Sequence, residues 1–243
     1  MKALLAFFTV LPVREASLEQ AAREVYLLPF VGVVTGLPGA ILVLSAYFVP
    51  SGMAATLALG AVLVAAGLHH ADGVLDVGDA LMVRGIPGRR REVLKDTRVG
   101  IGGIGALFLL YGPTLAALAA LSVASPGRAA LALVASEVAA RSAMVLTLAY
   151  GKPAYSGSSS VPFARALSGP RNATGVALAL LAPLPFLFPV GTLAPLAILV
   201  TPLIVLISLR LARSAFGGIC GDVVGATGEA CRAVVLILAS TMI

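Results

Sequence analysis

Charge is scarce in this sequence. Of 243 residues only 28 are Asp, Glu, Lys or Arg, 12% of the chain, about half the share of an ordinary soluble domain. Tryptophan is absent, and there are only two histidines and two cysteines. Two cysteines exclude a disulfide scaffold, and low charge with no glycine period excludes disordered and collagen-like chains. Twenty-eight charges cannot keep the surface of a globule this size wet and free of apolar patches. What is present instead is apolar: 59% of the residues, with a mean hydropathy of +1.03. An integral membrane protein follows.

The apolar runs are long and uninterrupted, as at 177–187 and 193–209. A transmembrane barrel would alternate apolar and polar residues in segments of about 10. Helices fit, because each satisfies its backbone groups internally in lipid. Seven stretches read as spans of about 20 residues: 25–49, 53–71, 100–123, 128–150, 172–190, 192–212 and 221–243. The stretch Ala3–Val13 could mimic a signal peptide, but it lacks a small-x-small cleavage site and reads as an interfacial helix. With no linker and no internal repeat, residues 1–243 form one domain. The fold class is all-α: a polytopic membrane bundle of about seven helices plus the interfacial helix.

The basic residues test this count. Fourteen fall on one side of the spans, and only Arg128 falls on the other; Arg141 and Arg232 lie inside spans. This is a strong positive-inside asymmetry. It places the N-terminus, Arg14 and Arg23 included, and the loops 72–99, 151–171 and 213–221 at the cytoplasmic face of the cell membrane. The net charge of +6 is thus first a topology device, and nucleic acid is not an expected partner.

The eleven acids are unevenly spread. Glu15, Glu19 and Glu24 read as part of a solvated N-terminal segment. Asp72, Asp76, Asp79, Glu92 and Asp96 fall within 25 residues. If the second span continues past His70 as a helix, Asp72, Asp76 and Asp79 share one face. Their mutual repulsion is relieved by a cation, and oxygen ligands beside phosphates suit Mg²⁺. Glu92 and Asp96 repeat the i, i+4 spacing. The bland alternative is a loop whose acids balance its bases. Lys95 and Arg98 flank Asp96, and Gly100 opens the third span, where backbone N–H groups favour phosphate. Carboxylates beside such bases are the equipment of phosphoryl transfer.

Asp222 and Glu229 share a face of the last span. Glu229 and Arg232 are spaced either for an ion pair or for a site. Glu137 and Arg141 are spaced for pairing, and Arg141 could also reach a phosphate. His69 and His70 sit at the cytoplasmic end of the second span, where a histidine is more often interfacial than catalytic; no third ligand supports zinc. Ser156–Ser160 read as a flexible loop.

Three segments resemble a known family. His70-Ala-Asp-Gly-Val-Leu-Asp-Val-Gly-Asp79 is similar to the H-x-D-G-L-A-D-x-x-D-G signature of the cobalamin synthases, or adenosylcobinamide-GDP ribazoletransferases. Glu92-Val-Leu-Lys-Asp-Thr-Arg-Val-Gly100 resembles their E-I-M-K/R-D-S-R-x-G. Gly217 through Ala226, with Glu229, resembles G-G-x-T-G-D-x-x-G-A-x-x-E, and Phe7–Val13 also fits. Ala80, Leu68, Cys220 and Leu75 depart from the family pattern, at positions where it carries Gly, Gly, Thr and Ala, yet no carboxylate is lost.

The resemblance implies that adenosylcobinamide-GDP is joined to α-ribazole or its 5′-phosphate, releasing GMP, with Mg²⁺ as cofactor. It implies Asp72, Asp76, Asp79 and Asp96 as metal ligands, with Asp222 completing the shell. Lys95, Arg98 and Arg141 would neutralise charge on the phosphates, and Glu92, Gly100 and Glu229 belong to the substrate-binding set. Asp96 is the first candidate to accept the hydroxyl proton and His70 the second. The partners are small-molecule substrates and the bilayer, with a homodimer left open. Two other readings stand beside it. Asp76–Arg84 partly matches the CDP-alcohol phosphotransferase signature, which would make a lipid alcohol the acceptor. A transporter would also carry intramembrane acids, although near the midplane and in repeated halves.

Overall fold

The computed structural model describes residues 1–13, 16–169 and 171–242; Arg14 and Glu15, which belong to the charged N-terminal segment, lie outside them. The described chain is helical, and its isolated bridge pairs Pro153 with Ile219. In chain order the helices are α1 (Lys2–Phe8), α2 (Leu18–Arg23), α3 (Leu28–Val43), α4 (Ser51–Ala65), α5 (His69–Met82), α6 (Pro87–Val93) and α7 (Ile101–Ala124). There follow α8 (Pro126–Tyr150), α9 (Ser160–Ala166), α10 (Arg171–Leu181), α11 (Leu184–Leu187), α12 (Val200–Phe216) and α13 (Gly221–Thr241).

Five segments are long and apolar enough to cross a membrane: Val25–Tyr47, Ile101–Ala124, Pro126–Tyr150, Ala194–Phe216 and Gly221–Thr241. The bent pair α4 and α5 makes a sixth if counted as one broken span, and the expected count of seven is not reached among the described residues. The second expected span ends early, because α4 stops at Ala65 and α5 leaves it at an angle of 94°. At the break Gly67 and Leu68 both adopt positive φ, 73° and 62°, which no helix continues. The fifth is a shorter apolar helix, Arg171–Leu187, made of α10 and α11, whose 17 residues rise roughly 25 Å, short of a bilayer core of about 30 Å. Within the stretch Ala3–Val13 the chain forms α1, and its Leu4 and Phe8 are buried in the main core.

At the centre stands α8, buried along nearly its whole length, with α3, α10, α12 and α13 packed on it. Small residues allow that density. A Cβ on Gly32 of α3 would lie 2.6 Å from the Glu137 carbonyl oxygen of α8, so the two backbones touch where only glycine fits. In contrast α7 and α12 expose Phe108, Leu109, Leu203 and Ile207, as lipid-facing helices do.

Charges buried in the bundle neutralise one another. The Arg232 guanidinium donates to both Glu229 oxygens at 2.6 Å and also pairs with Glu137. Tyr111 donates to Glu229 at 2.8 Å, and Thr35 to Glu137 at 2.7 Å. With Arg141 at 3.5 Å from Glu137, two acids and two bases tie α3, α7, α8 and α13 together. In a dry interior such a set stands only if every charge has a partner.

The segments expected to share one face meet at one end of the bundle. Arg91 donates to the Phe216 carbonyl at 2.7 Å, the Ile219 N–H to the Lys152 carbonyl at 2.8 Å, and Lys95 lies 5.0 Å from the Tyr155 ring centre.

Candidate active site

The acid cluster is built on α5. The helix expected to follow His70 is present, although it is separate from α4, and the offsets of Asp72, Asp76 and Asp79 put them on one stripe. The first turn of α13 is pressed against α5: a Cβ on Gly73 would come within 2.8 Å of the Asp222 carbonyl oxygen. Asp222 thereby joins the stripe from a distant part of the chain. Asp76, in α5 and outside the spanning helices, is pushed up to about 6 by burial, by Asp72, by Asp222 and by Asp79, in that order. A carboxylate so crowded by others takes a cation or a proton.

Asp79 has a different occupation. Its two oxygens accept the Gly100 N–H at 2.7 Å and the Gly103 N–H at 2.8 Å. It therefore closes the N-terminus of α7, where a carboxylate meets the positive end of the helix dipole. The Gly100 N–H, expected to face phosphate, is spent on this contact.

Asp96 and Glu92, which follow α5, are each engaged by a neighbouring arginine. Asp96 is bound on both oxygens by the Arg98 guanidinium, at 2.7–3.2 Å, and accepts the Arg98 N–H at 3.1 Å. These hydrogen bonds from Arg98 hold its carboxyl down at about 2, which makes a weak base. Glu92 pairs with Arg89 at 2.9 Å on the surface. Arg141 and Glu229 lie in the closed interior of the bundle. In this structure they form part of the core ion network, a position that differs from the expected phosphate contacts.

Beside the cluster opens a cavity of about 430 Å³. Asp222 and His70 line it on one side, Ser159 and Ser160 on another, and Phe7, Phe8 and Phe163 supply aromatic wall. The His70 ring centre lies 6.1 Å from that of Phe8. Its Nε2 is sealed from solvent and has no hydrogen-bond partner. The serine loop is anchored rather than free: the Ser158 and Ser160 hydroxyls lie 2.8 Å apart, both buried, and Ser160 donates to the Ile219 carbonyl at 3.4 Å. Sequence reasoning misses the aromatic wall as a binding surface, although Phe7 and Phe8 stand within a segment that fits the family.

The cobalamin-5-phosphate synthase family model matches residues 1–240. The chain belongs to that family. Relatives agree over nearly its whole length. An adenosylcobinamide-GDP ribazoletransferase of Methanocella arvoryzae is 33% identical, with 96% of this chain and 91% of that protein covered. Proteins of the same name from Pyrobaculum islandicum and Halorubrum lacusprofundi are 34% and 36% identical, each over 97% of this chain, with 92% and 94% of their own lengths covered. No solved structure matches the fold. Membership sets aside the lipid-alcohol and transporter readings.

Among the described residues no three His, Cys, Asp or Glu side chains converge tightly enough to form a complete metal cage. The donor set nevertheless suits Mg²⁺, which takes one or two carboxylates and draws its remaining ligands from water and substrate phosphates. The crowding around Asp76 is the structural sign of that fit.

Proposed function

We propose that this protein is an adenosylcobinamide-GDP ribazoletransferase, Mg²⁺-dependent and of the plasma membrane, with its site at the cytoplasmic face. The family and the names of its relatives support the reaction. The observation in the structure that favours it is the adjacency of an acid cluster and an aromatic-walled cavity, which share Asp222. The two substrates need those two environments: a pyrophosphate with its counter-ion, and a flat heterocyclic base on a ribose.

Asp72, Asp76 and Asp222 would hold the cation, which when bound supplies charge neutralisation along the pyrophosphate. The aromatic wall receives the base by stacking and turns the ribose toward Asp222. The ribose 3′-hydroxyl oxygen bonds to the cobinamide-side phosphorus, the bond from that phosphorus to the GMP oxygen breaks, and GMP leaves. His70, whose ring lines the cavity, would take the hydroxyl proton once substrate entry opens its sealed Nε2 to the ribose. Asp96, held by Arg98, is the weaker base. Lys95 and Arg98 on the neighbouring loop neutralise phosphate charge once Arg98 turns from Asp96 to substrate. The one-sided placement of the bases supports the cytoplasmic orientation.

The test uses purified protein in detergent with Mg²⁺, adenosylcobinamide-GDP and each form of α-ribazole. GMP and the new corrinoid appear together, one for one, in mass spectra. Folded protein that yields neither with either acceptor contradicts the reading.

A further inference from the structure

On another flank of the bundle, two adjoining cavities are of opposite character. The first, about 270 Å³, lies at the basic end and is lined by Lys152, Arg210 and Arg213 with Gly217 and Gly218. No carboxylate lines it, and none of the three cations forms an ion pair among the described residues. The second, about 390 Å³, is walled only by apolar or aromatic residues, among them Leu146, Val176, Leu180, Pro202 and Leu206. Tyr150 and Leu209 belong to both.

The groove runs over α8 between α10 and α12, with Leu180 and Leu206 partly exposed. From Leu209 to Pro202 the groove descends about 10 Å along α12, into one leaflet of a core about 30 Å thick. Three unpaired cations at the water side and a wholly apolar channel below match one kind of molecule, which carries an anion at one end and a hydrocarbon chain at the other.

We propose that this flank is a binding site for an anionic phospholipid. Lys152, Arg210 and Arg213 receive the headgroup phosphate, while one acyl chain lies in the groove between α10 and α12. Juxtamembrane bases are drawn to an anionic membrane surface, and three lining one cavity favour a single headgroup. The inference is independent of the transferase reaction, since none of these residues belongs to the acid cluster or the aromatic cavity.

Purified protein in detergent is titrated with dioleoyl phosphatidylglycerol, dioleoyl phosphatidylcholine, glycerol 3-phosphate or GMP, and bound lipid is counted by native mass spectrometry. Phosphatidylglycerol should bind at least tenfold more tightly than phosphatidylcholine and raise the melting midpoint. Neither water-soluble phosphate should do so. R210Q/R213Q should lose that preference while keeping its turnover in detergent. Leu206→Trp, which fills the groove without touching the cations, should weaken phosphatidylglycerol binding tenfold. Equal binding of the two lipids, or retention of the preference in both variants, overturns the proposal. A midpoint shift with GMP, or loss of detergent turnover in folded R210Q/R213Q, overturns it in favour of a nucleotide subsite.

Discussion

Asp79 accepts the Gly100 N–H at 2.7 Å, so one of the three stripe acids on α5 closes the first turn of α7. That contact separates acids which the sequence presents as equivalent. Asp79 fixes the angle between α5 and α7, whereas Asp72 and Asp76 are left to face Asp222. Asp79→Ala should therefore lower stability by about 1–2 kcal/mol through the lost cap. Thermal melting in detergent measures it, and a midpoint equal to that of the unsubstituted protein would sink the capping role.

Crowding at Asp76 gives metal-free protein a distinctive pH response. The folded Asp76 holds its proton up to about 6, against an ordinary value of 3.8, so the fold binds more protons than the unfolded chain between them. This contribution is present below about pH 4 and lost as pH rises through 6. Asp96, lowered to about 2, acts with opposite sign and only below about pH 4. Between pH 5 and 7 the melting midpoint in chelator should therefore fall more for the unsubstituted protein than for Asp76→Asn. Added Mg²⁺ should remove the difference. Parallel profiles would refute the crowding.

Leu68 sits at φ 62°, a left-handed conformation that costs a residue bearing a Cβ about 1–2 kcal/mol. Its side chain is 53% exposed and loses little packing on removal. After the entropy penalty of glycine, Leu68→Gly should stabilise by about 0.5–1 kcal/mol, read as a raised melting midpoint. A lower midpoint would show that the bend between α4 and α5 depends on the leucine.

The interior ion network should be intolerant of single deletions. Arg232→Met leaves Glu137 and Glu229 buried and short of a cation, at a cost of about 3–5 kcal/mol. Arg98→Gln removes an exposed guanidinium and should change stability by less than about 1 kcal/mol. Urea midpoints of the two variants make the comparison, and similar losses would deny the network its structural role.

The legible features are those written in local pattern. Spans at 25–49, 100–123 and 128–150 correspond to α3 with its flanking turns, α7 and α8, because apolar length alone decides them. The face shared by Asp72, Asp76 and Asp79 follows from helical spacing, and Asp222 stands out in the sequence at the head of α13. Hidden are the features set by one or two torsions or by distant contacts. The residues around the turn at Gly67 and Leu68 remain apolar, so hydropathy continues through a bend of 94°. Glu137 and Arg232 are 95 residues apart; spacing along single helices reveals the Glu137–Arg141 and Glu229–Arg232 pairs but not the contact that joins them. For Asp79, nothing local tells a helix-capping carboxylate from a metal ligand. Only the packing of α5 on α7 does so.

The most direct measurement is GMP release by Asp76→Asn beside the unsubstituted protein, at equal folded concentration with Mg²⁺, adenosylcobinamide-GDP and the preferred α-ribazole. A loss of about a hundredfold to a thousandfold in turnover is expected, of the order seen when a catalytic electrostatic contact is removed, with a melting midpoint in chelator at neutral pH that is unchanged or higher. Turnover within severalfold of the unsubstituted protein would contradict the acid cluster as the site of phosphoryl transfer.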